Sequence, residues 1–211
     1  DDHLGDGIQV PGNFIRALAE DREQHMWIGT YGSGFVMYDP LTKRSKIFDK
    51  ANNKLPSNYI LAIYTDKKGN LWVGTNGNGI GLLRKGKLVF ETLSEKDGLA
   101  NGAIQSIVED DKGRIWFSTN KGLSCYSPAQ NKFKNYSNAV GLQEGAFMLG
   151  ASLKTSDGEI YFGGQKGFNH FYPAHLKTNS NPAKVALTDL KIDNVIIQSA
   201  EKGPIQQSLL T

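Results

Sequence analysis

Short apolar runs separated by polar turns recur along the chain and predict β-strands. Residues 62–64 and 106–108 are two such runs, and acidic residues and a Gly-containing turn follow each of them. A second run then begins at Leu71 or at Ile115, which is the pattern of a β-hairpin. No window of about 11 residues carries an apolar stripe with the 3.6-residue period of a helix. The pattern therefore predicts an all-β fold.

Four units of this kind repeat in register. Each unit contains a Met, Leu or Ile followed by a large aromatic residue, and these aromatics are 45, 44 and 45 residues apart: Trp27, Trp72, Trp116 and Tyr161. A third and a fourth apolar run complete a unit, as in residues 36–38 and 45–48, in residues 88–90 of the second unit, and in residues 124–126 and 133–136. Four antiparallel strands in about 45 residues is the size of a β-propeller blade.

The glycines fall in the same register. The chain has 24 glycines among 211 residues, about 11% against an average near 7%. Gly29 and Gly74 each lie two residues after the aromatic, and we expect the strand to end there in a tight turn or to approach a neighbour closely. The four aromatics are expected to be core residues wedged between blades. The alternative is that the tryptophans stack on sugars. An aromatic that recurs in all four units is better explained by packing.

The repeats predict a division of the chain at the end of the fourth unit. Residues 1–176 are expected to form the four blades, although the fourth unit lacks a fourth strand. Residues 177–183 form a polar, Pro-containing linker, and residues 184–192 alternate apolar and polar positions like a half-buried strand. Four blades could close a propeller alone, but the missing strand and the short second domain, residues 184–211, favour a fragment of a larger propeller.

Composition and charge exclude several classes of function. The net charge is only +3 and no basic run is present, so we expect no nucleic-acid binding by this chain. The apolar runs are far shorter than the roughly 18 residues of a membrane span. Cys125 is the single cysteine and can form no intrachain disulfide; a buried, inert thiol is the expectation.

The sequence contains no convincing catalytic or metal-binding constellation. The four histidines fit no usual metal spacing: His3, His25, His170 and His175. The Gly-containing turns at Asp66 and Asp111 lack the ligand series of a calcium loop and are better explained as hairpin turns. No helix follows the Gly-rich stretches, so they cannot form a phosphate site. We expect no catalytic residues, no metal and no cofactor.

These repeats resemble the two-component regulator propeller repeat. Residues 66–79 and 111–123 match its main pattern, and residues 54–60 and 98–104 match the segment that precedes it. The last unit departs from the pattern, with Tyr161 in place of Trp. Its exit sequence, residues 167–173, is similar to the one that leads into the triple-tyrosine domain, an immunoglobulin-like sandwich, and residues 185–197 resemble the first strands of that domain.

The resemblance implies a sensor rather than an enzyme. In this family such propellers form the periplasmic part of hybrid two-component sensors, often in Bacteroidetes, that control polysaccharide utilisation. The implied ligand is an oligosaccharide, and the sandwich domain passes the signal across the inner membrane to a histidine kinase. The expected partners are that ligand and a second copy, as a homodimer formed through the full ectodomain. The membrane would be reached only through downstream segments.

Blade geometry indicates where a ligand would bind. The segment leading into the first strand and the loop joining the second and third strands lie at the same end of a blade, and we call this surface the loop face. Its Asn and Tyr side chains suit sugar hydroxyls and sugar rings. The predicted ligand-binding residues are Asn13, Tyr31, Asn58, Tyr59, Asn76, Asn78, Asn101, Asn120, Gln143 and Glu144. For any one of them a plain turn-forming role is the alternative.

Two other functions remain open at this point. Propellers with a similar Asp-x-x-Gly-x-Ile-Trp-Phe repeat include a lyase resembling virginiamycin B lyase, which would need a histidine and carboxylates at one mouth of the channel. The histidines of this sequence avoid the loops that lead into the first strands. The other alternative is a protein-interaction propeller without a small ligand.

Overall fold

The structure, a computed structural model, describes residues 10–12, 14–176, 190–192 and 195–197. The chain divides into two units, Asp1–His175 and Leu176–Thr211. The described part of the first unit is almost entirely β, as the apolar pattern predicted.

Four antiparallel sheets form the first unit, one for each predicted repeat, and we call them blades 1 to 4. The strands of blade 1 are β1 (Ile15–Glu20), β2 (Met26–Thr30), β3 (Phe35–Asp39) and β4 (Arg44–Phe48). Those of blade 2 are β5 (Ile60–Thr65), β6 (Leu71–Thr75), β7 (Ile80–Leu83) and β8 (Glu91–Leu93). Those of blade 3 are β9 (Ile104–Glu109), β10 (Ile115–Thr119), β11 (Gly122–Ser127) and β12 (Lys132–Tyr136). Blade 4 has the three predicted strands, β13 (Phe147–Lys154), β14 (Ile160–Gly164) and β15 (Gly167–Phe171).

Three short helical segments interrupt the strands, and the apolar pattern predicted none of them. They are α1 (Lys50–Asn53) and two 3-10 turns, Glu95–Asp97 and Asn138–Val140. The side chain of Asp49 caps α1 by accepting a hydrogen bond from the Asn52 N–H, and Lys54 ends it in the left-handed conformation. Such single turns are fixed by their caps rather than by an apolar stripe, so periodicity does not reveal them.

The second unit is described only in part. Two short strands, β16 (Leu190–Ile192) and β17 (Val195–Ile197), pair antiparallel. The predicted linker, residues 177–183, lies outside the described residues, and so does most of the predicted sandwich segment, residues 184–211.

The first strand of each blade is the innermost. The strands β1, β5, β9 and β13 pack against one another in succession, while the other strands of each blade follow outward in chain order. This arrangement is that of consecutive propeller blades, and it brings equivalent loops of successive blades next to each other.

The three tryptophans are core residues, as predicted. Trp27 is buried in a cluster shared by blades 1 and 2, and Trp72 in a cluster shared by blades 2 and 3. Trp116 is fully buried and packs on Phe171 of blade 4, with ring centroids 4.8 Å apart. Each indole therefore lies between its own sheet and the sheet of the next blade, where a large aromatic contributes most to burial.

The prediction that Tyr161 is a core residue is wrong. Its ring is only partly buried, and its aromatic neighbours are Phe168 and His170 of its own blade. On the same blade Leu153 and Phe168 are 60% and 63% exposed. The physical reason is position: this face of blade 4 corresponds to the face that the next sheet covers in blades 1 to 3.

The glycine after each aromatic does not end the strand, contrary to one of the two expectations. Gly74 lies inside β6, and a Cβ there would be 2.7 Å from Cγ2 of Ile104 in the next blade. Gly29 meets Ile60 in the same way. Close approach between blades thus requires these glycines. The chain turns later, at Gly77 and Gly79, whose φ angles of 93° and 81° favour glycine.

The fourth strand of blade 2 is displaced from its predicted place. It is β8, Glu91–Leu93, rather than residues 88–90. Phe90 is buried against blade 1 aromatics, and its N–H donates a hydrogen bond to the Asn53 carbonyl oxygen at 3.0 Å. Within the apolar run of residues 88–90, only Phe90 is therefore a core residue, whereas Leu88 and Val89 are exposed.

Candidate ligand-binding face

Hydrogen bonds between blades fix the backbone of the loop face. The N–H groups of Gly32 and Gly34 both donate to the Asn58 carbonyl oxygen at 3.0 Å, and this oxygen belongs to the segment leading into β5. The N–H groups of Gly77 and Gly79 donate to the Gly102 carbonyl oxygen in the same manner, at 3.1 and 2.9 Å. The repeated glycines therefore join the backbone of these two loops to the next blade.

A repeated threonine closes each of these loops. The Thr30 hydroxyl donates to the Gly34 carbonyl oxygen at 2.7 Å, and the Thr75 hydroxyl donates to the Gly79 carbonyl oxygen at 2.8 Å. Both threonines are buried. The Gly-Thr step that follows each of the first two tryptophans is thus explained by packing and loop closure.

Three of the predicted residues come together on this surface. The rings of Tyr31 and Tyr59 meet edge to face, with centroids 4.9 Å apart and an interplanar angle of 71°. The Asn76 side-chain amide donates to the Tyr31 hydroxyl oxygen at 3.0 Å. Tyr31 is 38% exposed and Tyr59 is 48% exposed. We call these three side chains the tyrosine platform; their rings and polar edges are held in place yet remain open to solvent.

Arg16 joins the platform, and the sequence analysis did not select it. Its guanidinium carbon lies 5.3 Å from the centroid of the Tyr31 ring, within cation–π range. The side chain is exposed. The platform therefore combines two aromatic rings, an amide and a permanent positive charge.

The side chains of Asn58 and Asn101 accept hydrogen bonds from backbone N–H groups and so stabilise the local backbone. The Asn58 side-chain oxygen accepts a hydrogen bond from the Lys50 N–H at 2.8 Å. The Asn101 side-chain oxygen accepts from the Ala103 N–H at 3.2 Å, and its amide donates to Glu95 at 3.4 Å. Both residues lie on the loop face, but their amides already have partners within the chain.

The remaining predicted residues lie away from the tyrosine platform. The Asn120 side-chain oxygen accepts a hydrogen bond from the Gln105 amide at 2.9 Å. The Gln143 amide donates to the Gly145 carbonyl oxygen at 3.1 Å, and Glu144 pairs with Lys166 at 2.9 Å. Asn78 is exposed in the loop that contains Asn76. Asn13 lies outside the described residues.

The opposite end of the blades, which we call the hairpin face, carries a repeated carboxylate. Asp21, Asp66 and Asp110 each accept a hydrogen bond from the indole N–H of the tryptophan six residues later, at 2.9, 2.9 and 3.0 Å. In blade 3 this aspartate is Asp110, whereas the sequence analysis assigned the turn to Asp111. Asp111 is exposed and pairs with Lys154 instead. Two adjacent aspartates made the alignment ambiguous.

Burial and hydrogen bonds have opposite effects on the acids of the hairpin face. Burial tends to raise the pKa of Asp21, but hydrogen bonds from the His25 backbone and from the side chains of Trp27 and His25 outweigh it, and the pKa is lowered. Burial raises the pKa of Glu109, although its carboxylate accepts the Lys67 N–H at 2.8 Å. Burial and the neighbouring Glu109 carboxylate raise the pKa of Tyr64 to about 12.

A cleft of about 200 Å³ opens on the hairpin face between blades 1 and 2. Its lining mixes acidic and basic side chains from the ends of the inner strands and the turns that follow: Glu20, Asp21, Arg22, Thr65, Asp66 and Lys67. The carboxylates of the two aspartates are occupied by backbone, indole and neighbouring side-chain groups. The loop face, with its exposed rings, is therefore the stronger candidate for ligand binding.

The described residues offer little that is typical of a reactive site. They contain no group of three or more His, Cys, Asp or Glu side chains that could hold a metal ion. Burial raises the pKa of the Cys125 thiol to about 12. His25 belongs to a hairpin-face turn, and His170 pairs with Glu159 on blade 4. Among the described helices, none is long and apolar enough to cross a membrane.

Three segments of the chain match the family model of the two-component regulator propeller: residues 9–32, 54–77 and 98–121. A curated relative, histidine kinase P4 of Formosa agariphila, is 30% identical over 207 residues. That alignment covers 96% of this chain but only 15% of the relative.

Solved structures give the same result for the fold. The extracellular domain assigned to the hybrid two-component system BT3049 of B. thetaiotaomicron is 32% identical, with a TM-score of 0.74, over 92% of this chain and 27% of that one. The extracellular domain assigned to the one component system BT4673 of the same organism is 26% identical, with a TM-score of 0.67, over 82% of this chain and 25% of that one.

Virginiamycin B lyase from Staphylococcus aureus, at 16% identity and a TM-score of 0.57, covers 75% of this chain and 55% of that one. It is similar in fold alone. By contrast, the repeat matches and the sequence identity both point to two-component regulators. The chain therefore contains three segments that match the two-component regulator propeller repeat, and it is similar in sequence and fold to the extracellular domain of a hybrid two-component system.

Proposed function

We propose that this chain is part of the periplasmic, ligand-sensing region of a hybrid two-component regulator and that its loop face binds oligosaccharides derived from glycans. The observation that carries the proposal is the tyrosine platform. Tyr31 and Tyr59 keep substantial ring area open to solvent while Asn76 and the inter-blade hydrogen bonds hold the platform in place.

The chemistry of the platform suits a sugar. A pyranose has apolar C–H faces that pack on aromatic rings and hydroxyl groups that pair with amides and phenols. The platform is held in place before any ligand arrives, so binding would order few side chains and cost little conformational entropy. An open surface of this kind also admits a chain of several sugars.

The rest of the proposal concerns how binding would be reported. In it, residues 177–183 link the blades to an immunoglobulin-like sandwich that begins in residues 184–211 and resembles a triple-tyrosine domain. Binding on the propeller would alter how two copies pair and thereby signal to a histidine kinase. The similarity to the extracellular domain of a hybrid two-component system and to a histidine kinase supports the role in signalling.

A binding role fits the described residues better than the two alternatives. A lyase would need an acid or base near its substrate, and the described histidines lie on the hairpin face, on β15 and after it. A protein-interaction propeller fits less well because the platform exposes only two partly buried rings, which is a small area for a specific protein–protein interface. The proposed activity of the chain is therefore recognition without chemistry.

A glycan array tests the proposal. The purified chain is applied to an array of neutral and acidic oligosaccharides, alongside Tyr59→Ala and, as a control, Phe168→Ala, which removes an even more exposed ring from blade 4. We expect the wild type and the control to bind the same oligosaccharides and Tyr59→Ala to lose most of the signal. Absence of any saccharide binding by the wild type would contradict the proposed function.

A further inference from the structure

Each inner strand has extra residues near the loop face. In β1, Ile15 pairs with Thr30 and Ala17 with Gly29, so Arg16 is an additional residue, a β-bulge. The same shift makes Leu61 the extra residue of β5 and Gln105 that of β9. A bulge re-aims a side chain locally while the rest of the ladder continues.

The bulge of blade 4 is longer. Phe147 pairs with Gly164 and the next pair is Ser152 with Phe162, so the intervening residues bulge from the ladder. Two of them, Met148 and Leu149, are 49% and 37% exposed. The four bulges therefore occupy equivalent places in the blades, although their lengths differ.

The bulged side chains differ in chemistry where the repeat is otherwise regular. Arg16 lies over the Tyr31 ring, and the Gln105 amide donates to Asn120 on the loop between β10 and β11. Leu61 is buried. Two of the four bulges thus direct polar side chains to loop-face residues of their own blade. Because these side chains differ from blade to blade, they could make the loop face selective for one ligand.

Arg16 has an unused capacity to bind an anion. Its guanidinium carbon lies over the Tyr31 ring, and a cation–π contact of this kind does not use the five N–H donors of the guanidinium. Among the described residues, no carboxylate forms an ion pair with it. Two acids of the loop segments that lead into blades 3 and 4 have partners of their own, since Glu95 accepts the Gly102 N–H and Glu144 pairs with Lys166.

We propose that Arg16 makes the loop face selective for an acidic oligosaccharide, one in which a carboxylate or sulfate group lies next to a sugar ring. The ring packs on the tyrosine platform, and the anionic group accepts two N–H groups of the guanidinium. A paired geometry of this kind is the strongest that arginine makes with planar or tetrahedral oxyanions. This inference rests on the proposed function and adds the class of ligand.

Matched pairs of sugars test it in the full 211-residue chain. One pair is tetragalacturonate and its methyl ester, which differ only in the charged carboxylate. The other is a chondroitin tetrasaccharide with and without sulfate, which reveals whether sulfate strengthens binding beyond the carboxylate. We expect the more anionic member of at least one pair to bind about tenfold more tightly by calorimetric titration, which corresponds to ~1.4 kcal/mol.

Two variants separate recognition from a general effect of charge. Arg16→Gln should reduce the preference to within about threefold, mainly by weakening the binding of the more anionic member. Lys46→Gln removes an equal charge from another cation–π pair, with Phe48 on blade 1 at 5.2 Å, and should keep the preference. Thermal melting confirms that both variants are folded.

The outcomes distinguish this inference from the proposed function. Equal affinities within both pairs, or a preference that Arg16→Gln leaves intact, overturn the acidic-ligand inference while saccharide binding stands. If the wild type binds only the neutral oligosaccharides of the array, the acidic-ligand inference is likewise overturned and saccharide binding stands. If neither the matched pairs nor the array shows any binding by the wild type, the proposed function itself is overturned.

Discussion

The carboxylate of Asp110 accepts the indole N–H of Trp116 at 3.0 Å, and both residues are buried almost completely. The same carboxylate accepts the backbone N–H groups of Lys112 and Arg114. One side chain therefore holds the hairpin turn and orients the tryptophan that packs against blade 4.

We expect Asp110→Ala to lower the free energy of unfolding by about 2–4 kcal/mol, because several buried or partly buried donors lose their acceptor. Asp111→Ala is the matched control, since this neighbouring residue is exposed and forms a surface ion pair with Lys154, a kind of interaction that contributes little to stability. Denaturant unfolding of the two variants measures the difference. Equal losses would contradict the assignment of the buried turn residue.

Gly74→Ala should destabilise the protein by about 1–3 kcal/mol because the added methyl group overlaps Ile104 of the next blade. Gly163 holds the equivalent position in blade 4, where an added Cβ would approach Ala151 of the same blade at 3.0 Å. Gly163→Ala should cost less. Thermal melting of both variants checks the order, and a reversed order would show that inter-blade contact does not explain this glycine.

Glu109→Gln should raise the melting temperature at pH 7. Burial raises the pKa of Glu109 in the folded state above its ordinary 4.5, so the folded chain binds this proton more tightly than the unfolded chain does. Its contribution to stability is complete below about pH 4.5 and is lost as the pH rises through the raised value. Glutamine keeps an acceptor for the Lys67 N–H and carries no charge. The advantage of the variant should disappear in acid.

Glu91→Gln provides a comparison with the opposite sign. A hydrogen bond from Arg84 lowers the pKa of Glu91, so this carboxylate contributes stability above its ordinary pKa and loses it as the pH falls. The pair is about half exposed, and we expect only a small loss at pH 7. Melting curves from pH 3 to pH 8 measure both variants. A lower melting temperature for Glu109→Gln at pH 7 would refute the sign of its pKa shift.

Cys125 should be unreactive in the folded protein. The thiol is buried, and burial raises its pKa to about 12, so very little thiolate is present at pH 8. An aromatic disulfide reagent should therefore titrate one thiol only after the chain is unfolded. Rapid reaction with the native chain at pH 8 would show that strand β11 opens readily.

The sequence was sufficient to predict the blades because inter-blade packing imposes a tryptophan at the same place in each of the first three repeats. Trp27 and Trp72 could be assigned to the core from their register alone. Tyr161 could not, because its burial depends on what covers its sheet rather than on its position in the repeat. Burial also distinguishes Asp110 from Asp111, and the sequence does not reveal it because the two residues are adjacent and chemically identical.

The candidate site could be predicted less completely. Tyr31, Tyr59 and Asn76 were placed on one face by the order of strands in a blade, but their mutual contacts depend on hydrogen bonds between blades. Asn58 was selected for its side chain, and the structure shows that side chain binding the Lys50 N–H. Arg16 was missed because a bulge is visible only when the pairing of two strands is known.

The central claim is that the exposed rings of the loop face bind a saccharide, and titration of the Tyr31→Ala/Tyr59→Ala double variant tests it most directly. The titrant is the oligosaccharide that binds the wild-type chain most tightly on the array, and Phe168→Ala serves as the control. The account predicts at least a tenfold loss of affinity for the double variant, with an unchanged affinity for the control. Equal affinities for the wild type and a folded double variant would contradict it.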